Sequence, residues 1–135
     1  MILSENLELL KIKESDYMPQ KLKVGIIGCG EIAFSKHMPG LAKLNDVEMT
    51  AFCNRSIKKA ERAAKEFGPK AAGVYSDYKK LLADSSLDLV HICTPNNSHA
   101  EISTAALRAG KDVMCEKPMA INAKEAEKMY ETAQK

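Results

Sequence analysis

The sequence lacks several features that would place it in a specialised class of protein. No run approaches the roughly 18 apolar residues that a membrane-spanning helix needs, and residues 1–5 lack the basic-then-apolar order of a signal peptide. The formal net charge is only +2, and lysines are interleaved with glutamates. These absences argue against a membrane protein, a secreted protein and a nucleic-acid-binding surface, so we expect a cytoplasmic protein.

The cysteines and histidines lack the spacing of a metal site. No two cysteines form a C-x-x-C pair, and we expect no bound metal. Each cysteine lies at the end of a predicted strand or in a glycine turn, which favours reduced thiols in the core near one edge of a sheet. The four are Cys29, Cys53, Cys93 and Cys115. His37 and His91 belong to no motif, and we expect both to be structural.

Strand and helix patterns alternate along the chain, which indicates a parallel sheet in an α/β protein. The 135 residues leave room for one core, and 45% apolar with 28% charged residues is typical of a globular domain. We expect a domain over residues 21–135, preceded by a loosely attached extension over residues 1–20. The expected strands are 23–28, 47–53, 72–75, 87–93 and 112–115, and the expected helices are 31–44, 57–67, 77–83, 99–109 and 123–133.

Local signals set several helix boundaries. Pro39 is expected to interrupt the first helix because it lacks an N–H donor. Ser56 is expected to cap the second helix, and Ser98 with Glu101 matches a capping box. The last helix is expected to place Met129 and Tyr130 on one apolar face.

A glycine-rich turn joins the first strand to the first helix. Gly28, Gly30 and Ala33 fit G-x-G-x-x-G/A, in which the glycines permit a tight turn and a close backbone approach to a pyrophosphate. The N–H groups of the following helix favour an anion. The pattern predicts a dinucleotide site, although such a turn also occurs for structural reasons in other α/β folds. The remaining predicted contacts in this turn are Cys29, Glu31 and Ile32.

The end of the second strand is expected to select the cofactor. A residue about twenty positions beyond the glycine turn meets the adenosine ribose in such folds, and here that residue is Asn54. An acid would repel a 2′-phosphate, whereas Asn54 does not, and Arg55 is able to pair with it. This favours NADP, or use of both NADP and NAD. In the alternative, Arg55 only covers the adenine and Asn54 serves either cofactor.

Two further motifs give the sequence a specific resemblance. The segment Cys115-Glu116-Lys117-Pro118 follows the fifth strand, and Thr94-Pro95-Asn96-Asn97-Ser98-His99 follows the fourth. Over residues 22–135 the chain resembles the N-terminal half of the glucose–fructose oxidoreductase, inositol dehydrogenase and rhizopine-catabolism (Gfo/Idh/MocA) family. We therefore expect a Rossmann-type doubly wound parallel sheet of order 3-2-1-4-5 in three layers.

The resemblance also implies roles for individual residues. It places Lys117 beside the nicotinamide and the substrate hydroxyl, where a lysine is able to relay the proton that an alcohol loses on oxidation. It implies that Glu116 is a ribose-facing acid. The loop that follows the cofactor toward its nicotinamide would contain Thr94, Pro95, Asn96 and His99. The plainer alternatives are a surface role for Lys117 and simple exposure of His99.

Two functions follow as hypotheses. In the first, the chain is the NAD(P)-binding part of an oxidoreductase acting on a sugar, a polyol or a related hydroxyl compound. Because family members continue into a substrate domain, we expect this chain alone to be inactive and prone to self-association or domain swapping. In the second, the chain is a stand-alone dinucleotide-binding or sensing module. The expected partner is a small molecule, with no nucleic acid and no membrane.

Overall fold

The computed structural model describes residues 20–135, and the expected extension lies almost wholly outside them. Within the described part, five parallel strands form one sheet of order β3-β2-β1-β4-β5, which confirms the predicted 3-2-1-4-5 topology. The strands are β1 (Leu22–Ile27), β2 (Val47–Cys53), β3 (Gly73–Tyr75), β4 (Leu89–Ile92) and β5 (Asp112–Cys115).

Helices connect successive strands and cover the sheet, as a Rossmann fold requires. They are α1 (Met38–Leu41), α2 (Ile57–Phe67), α3 (Tyr78–Leu82), α4 (His99–Arg108) and α5 (Ala123–Ala133). A π-helical segment (Ala33–His37) precedes α1, and a 3₁₀ turn (Asn96–Ser98) precedes α4. Among the described residues, no helix is long and apolar enough to cross a membrane.

The sheet has an apolar core on each face because side chains alternate along every strand. In β1, Ile26 packs with Met38 and Phe52 on one face, whereas Ile27 packs with Leu81 and Ile92 on the other. Strands covered on both faces read as continuous apolar runs. Packing of helices on both faces of the sheet holds the carboxyl ends of β1, β2 and β4 at one edge, where the loops that follow these strands meet.

The first helix is interrupted, as predicted, but by a π-helical segment that ends two residues before Pro39. The segment before α1 is π-helical, and Pro39 lies in the first turn of α1, where a missing N–H is tolerated. Turns of the i→i+3 type then close the element, with the Leu44 N–H donating to the Leu41 carbonyl at 3.0 Å. The helix therefore ends at Leu41, three residues earlier than expected.

The predicted capping box at α4 is wrong. Ser98 does precede the helix, but its backbone is already helical (φ −107°, ψ −5°) because of the 3₁₀ turn before it. A capping side chain needs the extended conformation that Asn122 adopts at α5, where the Asn122 Oδ1 accepts from the Glu125 N–H. The Ser98 hydroxyl contacts Thr94 Oγ1 at 2.8 Å instead. Ser56 does begin α2, yet its side chain makes no capping hydrogen bond.

The predicted apolar face of α5 is only partly buried. Met129 packs into the domain and is 5% exposed, whereas Tyr130 is 64% exposed. By contrast, α2 buries all three of its alanines, Ala60, Ala63 and Ala64. One face of α5 therefore carries a large aromatic side chain toward solvent.

Candidate cofactor site

A cavity of about 830 Å³ opens at the carboxyl ends of the central strands. This is where ligands bind in doubly wound sheets, because the strand order reverses there. Six residues predicted from the sequence line it: Gly28, Gly30, Asn54, Arg55, Thr94 and Pro95. The sequence motifs from three separate strand ends thus meet around one space.

The two glycines of the turn differ in what they make possible. Gly28 has φ +97°, and a Cβ there would lie 2.7 Å from the backbone of Cys93 and Thr94. Only glycine fits this position, which brings the loops after β1 and β4 into contact. A Cβ on Gly30 would meet no atom within 4 Å, so Gly30 leaves open space beside the backbone. The open space at Gly30 is what the pyrophosphate of a dinucleotide would need.

Asn54 holds the glycine turn to the end of β2. Its Oδ1 accepts from the Cys29 N–H at 3.0 Å, and its Nδ2 donates to the Ser56 carbonyl at 3.2 Å. Both halves of the amide are therefore engaged within the protein. Arg55 is exposed beside the cavity, and within residues 20–135 its side chain makes no hydrogen bond, which leaves it able to meet a ligand.

The structure adds cavity residues that the sequence interpretation missed. Lys59 lies one helical turn beyond Arg55, and both are exposed at the cavity. Ser76, Asp77 and Tyr78 follow β3 and line the same space. The spacing of four residues from Arg55 would have indicated Lys59. The parallel direction of β3, which ends at the same edge of the sheet, would have indicated the three residues that follow it. The other additional lining residues include Ser56, Asn97, Ser98, Glu101 and Ile102.

A hydrogen bond joins the two sides of the cavity. The Tyr78 hydroxyl donates to Glu101 Oε1 at 2.6 Å and so links α3 to α4. This bond, with burial and the negative charges of Glu101 and Asp77, raises the pKa of Tyr78 to about 12. The phenol is therefore neutral at physiological pH and keeps the proton that it donates to Glu101.

His99 lies beneath the loop that lines the cavity. It is 1% exposed, and it is not among the residues that line the cavity. Its Nε2 is 2.8 Å from the Thr94 carbonyl and its Nδ1 is 2.8 Å from the Pro118 carbonyl. The alternative of simple exposure is wrong, because the ring fastens the loop after β4 to the loop after β5.

Glu116 is held between two donors after β5. Its Oε2 accepts from the Lys117 N–H at 2.9 Å, and its Oε1 is 2.5 Å from His37 Nε2. The Lys117 N–H, followed by His37, lowers the pKa of Glu116 below its ordinary value. The Lys117 side chain itself is exposed and lies outside the cavity lining. The carboxylate thus positions the backbone from which Lys117 extends.

The remaining predicted contacts lie around the cavity rather than along it. Cys29 is buried, with its Sγ 3.6 Å from the Cys53 carbonyl. Glu31 and Ile32 are exposed at the start of the first helix, and Asn96 is exposed in the 3₁₀ turn. Their predicted contact with a cofactor remains a prediction.

The cysteines are free thiols, and three of them are buried, as expected. Burial raises the pKa of Cys29 and Cys93 to about 12 and that of Cys53 to about 11, so these thiols are protonated at neutral pH. Cys115 is half-buried. Burial, followed by the nearby His37, lowers the pKa of His91 to about 4, so its ring is neutral.

Comparison with known proteins supports this picture of the fold. Residues 22–135 match the model of the family described as "Oxidoreductase family, NAD-binding Rossmann fold", which carries the Gfo/Idh/MocA name. The chain belongs to this family. The Rossmann assignment and the family resemblance of the sequence are thereby confirmed.

Relatives of known activity include sugar and polyol dehydrogenases. The chain is 38% identical over 114 residues to D-glucoside 3-dehydrogenase of Escherichia coli, covering 84% of this chain and 32% of that protein. It is 41% identical over 115 residues to the inositol 2-dehydrogenase/D-chiro-inositol 3-dehydrogenase of Lactiplantibacillus plantarum, with coverage of 84% and 32%. The chain thus spans about a third of the length of these curated relatives.

A solved structure of similar fold contains NADP. The crystal structure of a 3-ketoreductase from Actinomadura kijaniata in complex with NADP is 33% identical, with a TM-score of 0.79. The similarity covers 85% of this chain and 36% of that one. The chain is accordingly an NAD(P)-binding domain of an oxidoreductase family.

Proposed function

We propose that this domain serves an oxidoreductase that transfers a hydride between NADP or NAD and the hydroxyl-bearing carbon of a sugar or polyol. The observation that carries the proposal is the cavity beside Gly30, into which the ends of β1, β2 and β4 all contribute residues. The identities of the relatives, which include glucoside and inositol dehydrogenases, support the substrate class.

Within this proposal, the chain's own residues divide the binding of the cofactor among them. The backbone at Gly28 and Gly30 faces the pyrophosphate, with the helix N-terminus supplying N–H groups. Thr94 and Pro95 line the route from there toward the nicotinamide. When bound, the nicotinamide accepts or gives the hydride, and the protein orients it and excludes water.

We further propose that NADP binds at least as tightly as NAD. Arg55, Ser56 and Lys59 line the cavity directly after β2, where the 2′-phosphate of the adenosine ribose would lie. No carboxylate occupies position 54 to repel that phosphate, since Asn54 is neutral and bonds to the Cys29 N–H. The NADP complex of the related 3-ketoreductase is consistent with this preference.

The cavity assignment is tested by filling the space beside Gly30. Gly30→Val adds a branched side chain where the structure has no neighbouring atom within 4 Å, so the fold should be retained while a ligand is excluded. We expect the affinity for NADPH, measured by calorimetry, to fall about a hundredfold or more, because the pyrophosphate loses its close backbone contacts.

Gly40→Val is the matched control. Gly40 also has no neighbour within 4 Å of an added Cβ, but it lies in α1 and outside the cavity lining. Its affinity for NADPH should stay within about threefold of the parent chain. Equal NADPH binding by the Gly30→Val variant and the parent chain would overturn the assignment of the turn.

Lys117 is the proposed proton-relaying residue. In the complete oxidoreductase, Lys117→Met should lower kcat about a hundredfold or more, because it removes a general acid–base group. The Kd for NADPH should change little, since Lys117 lies outside the cavity lining. A kcat within threefold of the parent enzyme would refute the role of Lys117, whereas it would leave the cofactor assignment intact.

A further inference from the structure

A second cluster of chemically reactive side chains lies on one face of the sheet, beside the cavity. His91 in β4 and Cys93 directly after it are two positions apart, so they lie on the same face of the strand. His37, at the end of the π-helical segment, reaches that face, and its ring centroid is 4.7 Å from that of His91. One ligand atom from each of the three side chains lies within 4.8 Å of the others.

The second observation is that the His91 ring has no hydrogen-bond partner among the residues that the structure describes. Its side chain is buried, with 3% of the residue exposed, and within residues 20–135 neither Nδ1 nor Nε2 meets a donor or an acceptor. Buried ring nitrogens are normally satisfied, and an exception calls for a missing partner. A metal ion bound to one nitrogen supplies such a partner.

We propose that His37, His91 and Cys93 form a binding site for one divalent transition-metal ion of the zinc class. Two imidazoles and a thiolate are the borderline-soft donors that such ions prefer over magnesium or calcium. Three protein ligands leave the fourth position of a tetrahedral ion for water or another group, and the Cys93 thiol releases its proton to solvent on binding. This inference is independent of the proposed cofactor and substrate.

Glu116 provides the second shell that a histidine ligand needs. Its Oε1 contacts His37 Nε2, which leaves His37 Nδ1 for the ion. A carboxylate on the far nitrogen fixes the orientation of a ligating imidazole and raises its basicity. The contact between His37 and Glu116, which are 79 positions apart, is thus of the kind found around bound zinc.

Small movements would complete the geometry. Ligand atoms around tetrahedral zinc lie about 3.3–3.6 Å apart, given bonds of about 2.0–2.3 Å. The three atoms here fall within 4.8 Å, so they would have to close by about 1 Å. His37 is able to supply that movement, because its side chain is 27% exposed and is the least confined of the three.

The test titrates the 135-residue chain with cobalt(II), which serves as a spectroscopic substitute for zinc. A phosphine keeps the cysteine thiols of the chain reduced. We expect one saturating equivalent of Co²⁺ to produce a sulfur-to-cobalt charge-transfer absorption that Zn²⁺ abolishes by competition. Cys93→Ser should remove this band, and Glu116→Gln should weaken Co²⁺ binding about tenfold. Cys115→Ser is the matched control, because Cys115 is a half-buried thiol outside the cluster, and its variant should keep the band.

Circular dichroism and thermal melting of each variant establish that it is folded before its titration is interpreted, and His91→Gln replaces Cys93→Ser if the latter fails to fold. Retention of the thiolate band in the folded Cys93→Ser protein would overturn the proposal. So would its loss in Cys115→Ser, or Co²⁺ binding that never saturates at one equivalent. Co²⁺ binding that depends on Cys93 but leaves NADPH affinity unchanged would still support the site.

Discussion

On the β2–β3 side of the cavity, the residues facing the open space are exposed polar side chains such as Arg55 and Lys59. On the β4–β5 side, polar side chains hold the loops from below: the buried His99 contacts two carbonyl oxygens, and the half-buried Glu116 contacts the half-buried His37. The first side is therefore suited to selecting a ligand by charge. The second is suited to holding a fixed geometry, since a buried polar network must be satisfied as a unit.

The same contrast explains what the sequence predicts well and what it does not. Counting from the glycine turn to Asn54 finds a residue that lines the cavity, because parallel strands end at a common edge and that regularity is visible in spacing. The contacts on the β4–β5 side join residues that are distant in sequence, such as His37 with Glu116. Sequence spacing carries no signal for such pairs, so it predicts only structural roles for His37 and His91.

The capping error has a local physical cause. Ser98 and Glu101 have the right spacing, but the motif also requires an extended backbone at the serine. The 3₁₀ turn before α4 gives Ser98 a helical backbone, and its hydroxyl bonds to Thr94 and to the Pro95 carbonyl. Glu101 then becomes available to Tyr78 across the cavity. Ser98 and Glu101, which the sequence predicts to cap a helix, thus form part of the cavity wall.

Removing His99 should give the largest effect, because it disrupts the buried contacts that hold the loops on the β4–β5 side. His99→Ala leaves the Thr94 and Pro118 carbonyls without their shared partner and opens a void in a site that is 1% exposed. We expect the free energy of unfolding to fall by about 3 kcal/mol. Urea denaturation measures this change, with Asn97→Ala, an exposed residue of the same loop, as the control.

A loss below about 1 kcal/mol would show that solvent replaces the ring and that the β4–β5 side does not depend on it. Asn97→Ala should stay within about 0.5 kcal/mol of the parent chain, as exposed substitutions generally do. The difference between the two variants therefore isolates the buried contact from any general sensitivity of the loop.

Removing Arg55 should have a smaller effect that falls on binding rather than on folding. Arg55→Ala should weaken NADP about tenfold and NAD less than about threefold, because a hydrogen bond to a charged group contributes about 1.5–3 kcal/mol. Isothermal titrations with both cofactors measure the ratio. Lys58→Ala is the control, since Lys58 is an exposed cation in α2, three residues beyond Arg55, and does not line the cavity. Equal losses for NADP and NAD would mean that Arg55 only covers the adenine.

The smallest predicted effect concerns the bond that joins the two sides. Glu101→Gln keeps the size of the side chain but removes the charge that, through the 2.6 Å hydrogen bond, holds the pKa of Tyr78 at about 12. The pKa of Tyr78 should then fall toward its ordinary value of 10.0. Ultraviolet titration measures this change, with the titration of the Tyr78→Phe variant subtracted to isolate the Tyr78 signal.

Because the folded-state pKa of Tyr78 is raised, its bond to Glu101 stabilises the fold fully below pH 10 and loses that contribution as pH rises toward 12. The parent chain should accordingly lose stability more steeply than Glu101→Gln across that interval. Parallel pH profiles would mean that the two sides of the cavity are held together by packing alone, since the Tyr78–Glu101 bond would then contribute nothing measurable.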